Sequence, residues 1–115
     1  MKFFKKKFNF GLVAEYIVLL LYKIQFYKIL HHRYKTYVGE IDLIVSRGST
    51  LVFIEVKARR LQIDSDIITS NQQQRIHRTA ELFVSKKPQY ANYDLRFDLV
   101  IIRPYKLPQI IRNAW

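Results

Sequence analysis

Residues 39–59 read G-E-I-D-L-I-V-S-R-G-S-T-L-V-F-I-E-V-K-A-R, and this stretch decides the fold. Glu40 to Ser46 alternates and then turns continuously apolar, as expected of a strand whose later part is buried on both faces. Arg47, Gly48, Ser49 and Thr50 suit a hairpin turn, with Gly48 supplying a positive φ. Leu51 to Ala58 is then a second strand, antiparallel to the first. Side chains two apart on a strand share a face, so Glu55 and Lys57 point the same way as Leu51 and Phe53, while Ile54 and Val56 turn into the core. Asp42 lies on the partner strand. Charged groups on a sheet otherwise made of Val, Ile, Leu and Phe are costly to bury, and need mutual pairing, water or a metal.

Outward from this hairpin the chain alternates helix and strand. Asn9 suits an N-cap, and Leu12, Val13, Tyr16, Ile17, Leu20 and Leu21 recur at helical spacing, so a helix runs from about Phe10 to Tyr22 or Lys23. Phe26 to Tyr34 reads as a strand and Thr36 to Gly39 as a turn. Leu61 to Ser70 is irregular. Gln72 to Lys86 is helical, with Ile76, Ala80, Phe83 and Val84 spaced along one face and Pro88 closing it. Arg96 to Ile102 is a last strand, stopped by Pro104. The order α-β-β-β-α-β describes one α/β domain over residues 1–115, with a mixed sheet, a basic N-terminal arm (1–8) and a peripheral tail (104–115).

The 115 residues suit one core, and half of them are apolar, which argues against disorder. Twenty Lys and Arg against nine Asp and Glu give +11, a balance that favours an anionic partner, although it also serves plain solubility. The chain lacks cysteine, which excludes disulfides and thiolate metal sites and fits a reducing cytoplasm. His31, His32 and His77 form no HxxH or HxxxH pair, which argues against a histidine-rich zinc site. Lys2, Lys5, Lys6 and Lys7 precede an apolar run from Tyr16 to Tyr22, superficially like a secretory signal. Glu15 directly before the run, its shortness and the lack of a small-x-small site favour a buried helix and no membrane span.

Two carboxylates on adjacent strands, Asp42 and Glu55, could hold Mg²⁺ or Mn²⁺, hard ions that prefer oxygen, with the Val56 carbonyl as a further ligand. Lys57 could orient or deprotonate a bound water, or neutralise charge developing on phosphate. E-x-K by itself is more often an ordinary ion pair on a solvent-facing strand. Glu40, sharing a face with Asp42, could bind metal through water or simply pair with Lys35 or Arg47. Asp98 is read as a structural partner of Arg96, and His77 as a surface residue. Lys57, Arg59, Arg75 and Arg78 could frame one anionic groove, with Arg60 beside them and Arg33, Lys35 and Lys5 to Lys7 as secondary contacts. Phosphate contacts of this kind read little sequence and weaken steeply with salt.

The blocks G-E-I-D-L-I and E-V-K-A-R, with G-L-V-A-E-Y (11–16), Q-Q-Q-R-I-H-R-T-A-E (72–81) and R-F-D-L-V (96–100), resemble the YraN-like family of small bacterial proteins. That family is similar to Holliday-junction resolvases within the PD-(D/E)XK superfamily, and the resemblance covers roughly residues 11 to 102. It implies a restriction-endonuclease-like sheet flanked by helices, with Asp42, Glu55 and Lys57 as the catalytic signature. It further implies Glu15 as an additional metal ligand and Gln73 as a catalytic-site glutamine on the second helix. Ile41 replaces the superfamily's proline, Gln72 stands where a lysine is expected, Arg33 where an asparagine is expected, and the segment 60–69 lacks a glycine commonly found there. The expected function is metal-dependent hydrolysis of DNA, on branched or otherwise structured substrates. A homodimer is expected by analogy with resolvases alone. A non-catalytic nucleic-acid-binding module is the alternative, and a membrane-surface or protein-interaction role for the basic, aromatic N-terminus is a third reading.

Overall fold

The computed structural model describes residues 9–59 and 68–115. The arm 1–8, Arg60 and most of the segment expected to be a loop lie outside the described residues. The elements are α1 (Phe10–Ile24), β1 (Lys28–Lys35), β2 (Glu40–Arg47), β3 (Thr50–Ala58), α2 (Ser70–Ser85), a 3₁₀ turn (Pro88–Tyr90), β4 (Asp94–Ile102) and β5 (Gln109–Ile111). The order α-β-β-β-α-β is the one expected, with a short strand added at its end.

The five strands form one sheet in sequence order. β1, β2 and β3 are an antiparallel meander, and β3 pairs with β4 in parallel. Two parallel neighbours need a crossover, which carries α2. The hairpin turn is two residues long, between the paired Arg47 and Thr50, and Gly48 takes φ +60° there. The tail is not merely peripheral: β5 pairs antiparallel with the edge of β4, and Trp115 packs beside Phe97, Leu99 and Ile101. A three-residue strand has almost no local signal of its own, so only the open edge of β4 makes it a strand.

The helices cover opposite faces of the sheet. Ala14, Val18 and Tyr22 of α1 pack with Leu43, Val45, Val52 and Ile54, whereas Ile76, Ala80 and Phe83 of α2 pack with Ile44, Leu51 and Phe53. The central strands are therefore apolar on both faces, as their continuous runs require. The side of β3 that carries Leu51 and Phe53 also carries Glu55 and Lys57, so these charges belong to the α2 face.

Helix α1 begins where expected, with the Asn9 side chain accepting from the Leu12 amide at 3.0 Å. Its end explains why β1 starts at Lys28 rather than Phe26. The Phe26 amide donates to the Lys23 carbonyl and the Tyr27 amide to the Tyr22 carbonyl, Phe26 has φ +69°, and the rings of Tyr22 and Tyr27 meet edge to face at 5.2 Å. These are the bonds and the apolar contact of a Schellman cap, so Phe26 and Tyr27 end the helix before extended pairing can begin.

Two carboxylates are buried among the described residues, Asp98 and Glu55. Asp98, wholly buried, is fully satisfied: Arg96 grips both oxygens at 2.9 Å, Tyr22 donates to Oδ2 at 2.8 Å and the Asn113 amide to Oδ1 at 3.0 Å. It ties α1, β4 and the tail together, the structural part expected of it. Among the described residues no helix is long and apolar enough to cross a membrane.

Candidate functional site

The hydrogen-bonded register of β2 and β3 runs from Arg47 opposite Thr50 to Leu43 opposite Ile54, with Asp42 and Glu55 next in line. Here a side chain enters the ladder: the Val56 amide donates to Asp42 Oδ2 at 2.8 Å. In an extended strand the N–H and C=O of one residue face the same neighbour, so the Val56 carbonyl is also directed toward β2. Glu55 meets Lys57 Nζ through Oε2 at 3.0 Å, and Gln72 Nε2 donates to the same oxygen at 3.1 Å. The side chains of Lys57 and Glu55 are only 14% and 11% exposed. Asp42, Glu55 and Lys57 are thus brought to one spot, at the β2–β3 seam under the start of α2.

The electrostatics of this spot differ from those of Asp98. Burial pushes the Asp42 carboxyl up to about 8, and the negative charge of Glu55 beside it adds to the rise. The Val56 amide pulls in the opposite direction, while a hydrogen bond with Glu55 and the charge of Glu15 push further up. The fold therefore holds two carboxyls together with one ammonium group, Lys57, bonded to one of them. A cation between them would relieve the conflict. The available donors are all oxygen, which suits Mg²⁺ or Mn²⁺ better than zinc or copper.

Glu15 lies close enough to influence Asp42, but its own partners are cationic. Its Oε1 accepts from Arg33 Nε at 2.9 Å and meets His32 Nε2 at 3.0 Å. Among the described residues no three metal-ligating side chains form a cluster. Of the expected set Glu15, Asp42, Glu55 and Val56, the structure brings Asp42, Glu55 and Val56 together, while Glu15 stands nearby in an ion pair with Arg33 and a contact with His32. Arg33, its partner, adopts φ +60° within β1. Asparagine tolerates that conformation far more readily than arginine, which gives a physical reason for the asparagine expected at this position.

Gln73 does not reach the centre: its Nε2 points to the Ile68 carbonyl at 3.4 Å, and Gln72 makes the contact with Glu55. Thr69 caps α2 by accepting from the Gln72 amide at 3.1 Å, which fixes the phase of the first turn. Gln72 stands four residues before buried Ile76, one turn up the face packed on the sheet. That spacing was the available signal, and a run of three glutamines hid it. The bases are dispersed. Arg75 lines a cavity of about 560 Å³ together with Asp42, Glu55 and Gln72. Arg59 Nη1 is turned onto the Ala58 carbonyl at 3.0 Å, and Arg78 lies 3.5 Å from Gln74 Oε1. Arg60 falls outside the described residues. Glu40 is directly opposite Lys35 in the register of β1 and β2. His77 is exposed and stacks on Phe97 at 4.1 Å.

Known proteins provide a family for this arrangement. The model of the uncharacterised protein family UPF0102 matches residues 14–102, which include Asp42, Glu55, Lys57 and Gln72. The chain is 38% identical to a UPF0102 protein of Parvibaculum lavamentivorans over 109 residues, 94% of this chain and 82% of that protein. It is 41% identical to one from Rhodopseudomonas palustris, covering 94% and 85% of the two chains, and 36% identical to one from Chelativorans, covering 96% and 90%. The YraN-like resemblance read from G-E-I-D-L-I and E-V-K-A-R is thereby upheld, and the chain belongs to family UPF0102.

Proposed function

We propose that this protein is a divalent-metal-dependent endonuclease that hydrolyses DNA phosphodiester bonds, with branched or otherwise structured DNA as the substrate class. The observation that carries the reading is the meeting of Asp42, Glu55 and Lys57 at the opened end of the β2–β3 ladder. Two carboxyls held near each other, Glu55 buried and Asp42 half-buried, suit a hard cation, and the cation would supply polarisation of a phosphoryl oxygen and a more acidic water. Asp42, Glu55 and the Val56 carbonyl are the groups that would hold it. Gln72 and Lys57 both bond Glu55 Oε2 and so fix that carboxylate. Lys57, almost enclosed and aligned by Glu55, can orient a water or neutralise charge developing on the phosphate. Arg75 in the adjoining cavity, with the +11 surplus of the chain, supports an anionic polymer as partner.

Purified protein is incubated with branched, single-stranded and duplex DNA and Mn²⁺, beside Glu55→Ala. Cleavage of branched DNA that disappears in the variant and in chelator supports the proposal. Identical products from wild type and variant would mark any cleavage as contamination.

One observation favours a second reading, a nucleic-acid-binding module without catalysis: Glu15 is engaged by Arg33 and His32 rather than by the carboxylate pair. That reading predicts salt-sensitive binding indifferent to metal. A calorimetric Mn²⁺ titration separates the two, because the endonuclease reading requires a heat signal that Asp42→Ala removes.

A further inference from the structure

Beside the carboxylate pair, the turn between β1 and β2 builds a rigid wall. Thr36 Oγ1 accepts from the amides of Val38 (3.1 Å) and Gly39 (3.2 Å) and donates to the Gly39 carbonyl at 3.0 Å, while the Thr36 amide donates to that same carbonyl at 2.8 Å. Gly39 lies flat against α2: a Cβ there would come within 2.8 Å of Thr79 Oγ1, itself held on the Arg75 carbonyl at 2.7 Å. The turn is therefore both internally bonded and seated on the helix. At its tip this fixed loop carries Tyr37, 92% exposed, on the rim of the 560 Å³ cavity that contains Asp42, Glu55, Gln72, Lys35 and Arg75. An aromatic side chain left in water by a loop that cannot collapse over it gains nothing for folding.

We propose that this cavity takes the base of one unpaired nucleotide, stacked on Tyr37, next to the phosphate that meets Asp42 and Glu55. The inference rests on the nucleic-acid part of the function proposed above and is independent of hydrolysis. Three features point to a base rather than to a second phosphate or a duplex. The volume falls within the roughly 300–1,000 Å³ of small-molecule sites and is too small for a double helix. The lining also carries Glu40, a carboxylate outside the Asp42–Glu55 pair, which repels a second phosphate but accepts the amino edge of a neutral base. Bases inside a duplex already have both faces stacked, so a fixed phenol ring offers stacking only to a base that has left the helix. Lys35 and Arg75, in the same lining, supply positive charge for the flanking phosphates. The centre would then favour strands whose bases are splayed, at single-stranded stretches and branch points, over continuous duplex.

The test measures binding in chelator, where cleavage plays no part, by fluorescence anisotropy with a labelled deoxycytidine oligonucleotide and a blunt duplex. Stacking on an aromatic ring corresponds to roughly 5- to 150-fold in affinity. Tyr37→Ala should weaken single-strand binding by that factor, leave duplex binding unchanged and keep the salt slope, whereas Tyr37→Phe stays within about twofold of wild type. Since the ring lies outside the core, the thermal melts of all three proteins should coincide. The proposal is overturned if Tyr37→Ala binds the single strand like wild type, if it loses single strand and duplex equally, or if Tyr37→Phe is as weak as Tyr37→Ala. Tyr37-dependent binding by a protein that never cuts DNA would sink the endonuclease reading alone. Cleavage with no Tyr37 dependence would sink this one alone, and wild type that binds neither DNA would remove both.

Discussion

Replacing Asp42 by asparagine tests the electrostatic conflict at the centre directly. In the fold the Asp42 carboxyl is pushed up to about 8 by burial and by Glu55, against an ordinary value of 3.8 in the unfolded chain. The native state therefore holds this proton more tightly than the unfolded state. Below pH 4 both states are protonated and Asp42 costs nothing. Between pH 4 and pH 8 the unfolded chain releases the proton first, so stability falls as pH rises, and above pH 8 the full cost is present. Asp42 is only half-buried, so solvent screens the pair and the cost is about 1–3 kcal/mol. The substitution Asp42→Asn keeps an acceptor for the Val56 amide while removing the charge. Metal-free thermal melts from pH 5 to pH 9 should show wild type losing stability relative to Asp42→Asn as pH rises. The gap should be smallest at pH 5 and widest at pH 9, where the variant should melt roughly 4–12 °C higher. Titrating groups remote from Asp42 are common to both proteins and cancel in the difference. Mn²⁺ should raise the wild-type melting temperature at pH 8 and leave the variant unmoved. A difference between the melts that stays constant with pH would refute the coupling of the two carboxyls.

Four further outcomes are expected. Lys57→Met should lower the cleavage rate at least about 100-fold while calorimetry finds Mn²⁺ affinity unchanged or tighter, since Lys57 no longer competes for Glu55 Oε2. Gln72→Ala should slow cleavage several-fold more than Gln73→Ala in the same assay, because only Gln72 touches Glu55. Asp98→Ala should destabilise by about 3–5 kcal/mol in urea titrations, as it leaves Arg96, Tyr22 and the Asn113 amide without their shared acceptor. Phe26→Gly should stabilise by about 0.5–1 kcal/mol, read as a higher urea midpoint at unchanged slope, because a left-handed cap at φ +69° is strained for phenylalanine and free for glycine.

Local periodicity made much of this protein legible in its sequence. The apolar spacing of α1, the Asn9 cap, the glycine hairpin and the two-residue step from Glu55 to Lys57 each depend on neighbours within a turn or a strand. For the same reason the common face of Glu55 and Lys57, and the placement of Asp42 across the hairpin from them, were readable from spacing alone. What required the tertiary structure depends on partners far apart along the chain. Glu15 is claimed by His32 and Arg33 from β1, and the choice between Gln72 and Gln73 follows from how α2 is rotated on the sheet. The tail becomes a strand only against the edge of β4, and Tyr37 comes to border the carboxylates only because Gly39 lets its turn lie against α2. A chain of alternating side chains encodes which residues share a face. Which of them meet across faces is set by packing energies that no local segment contains.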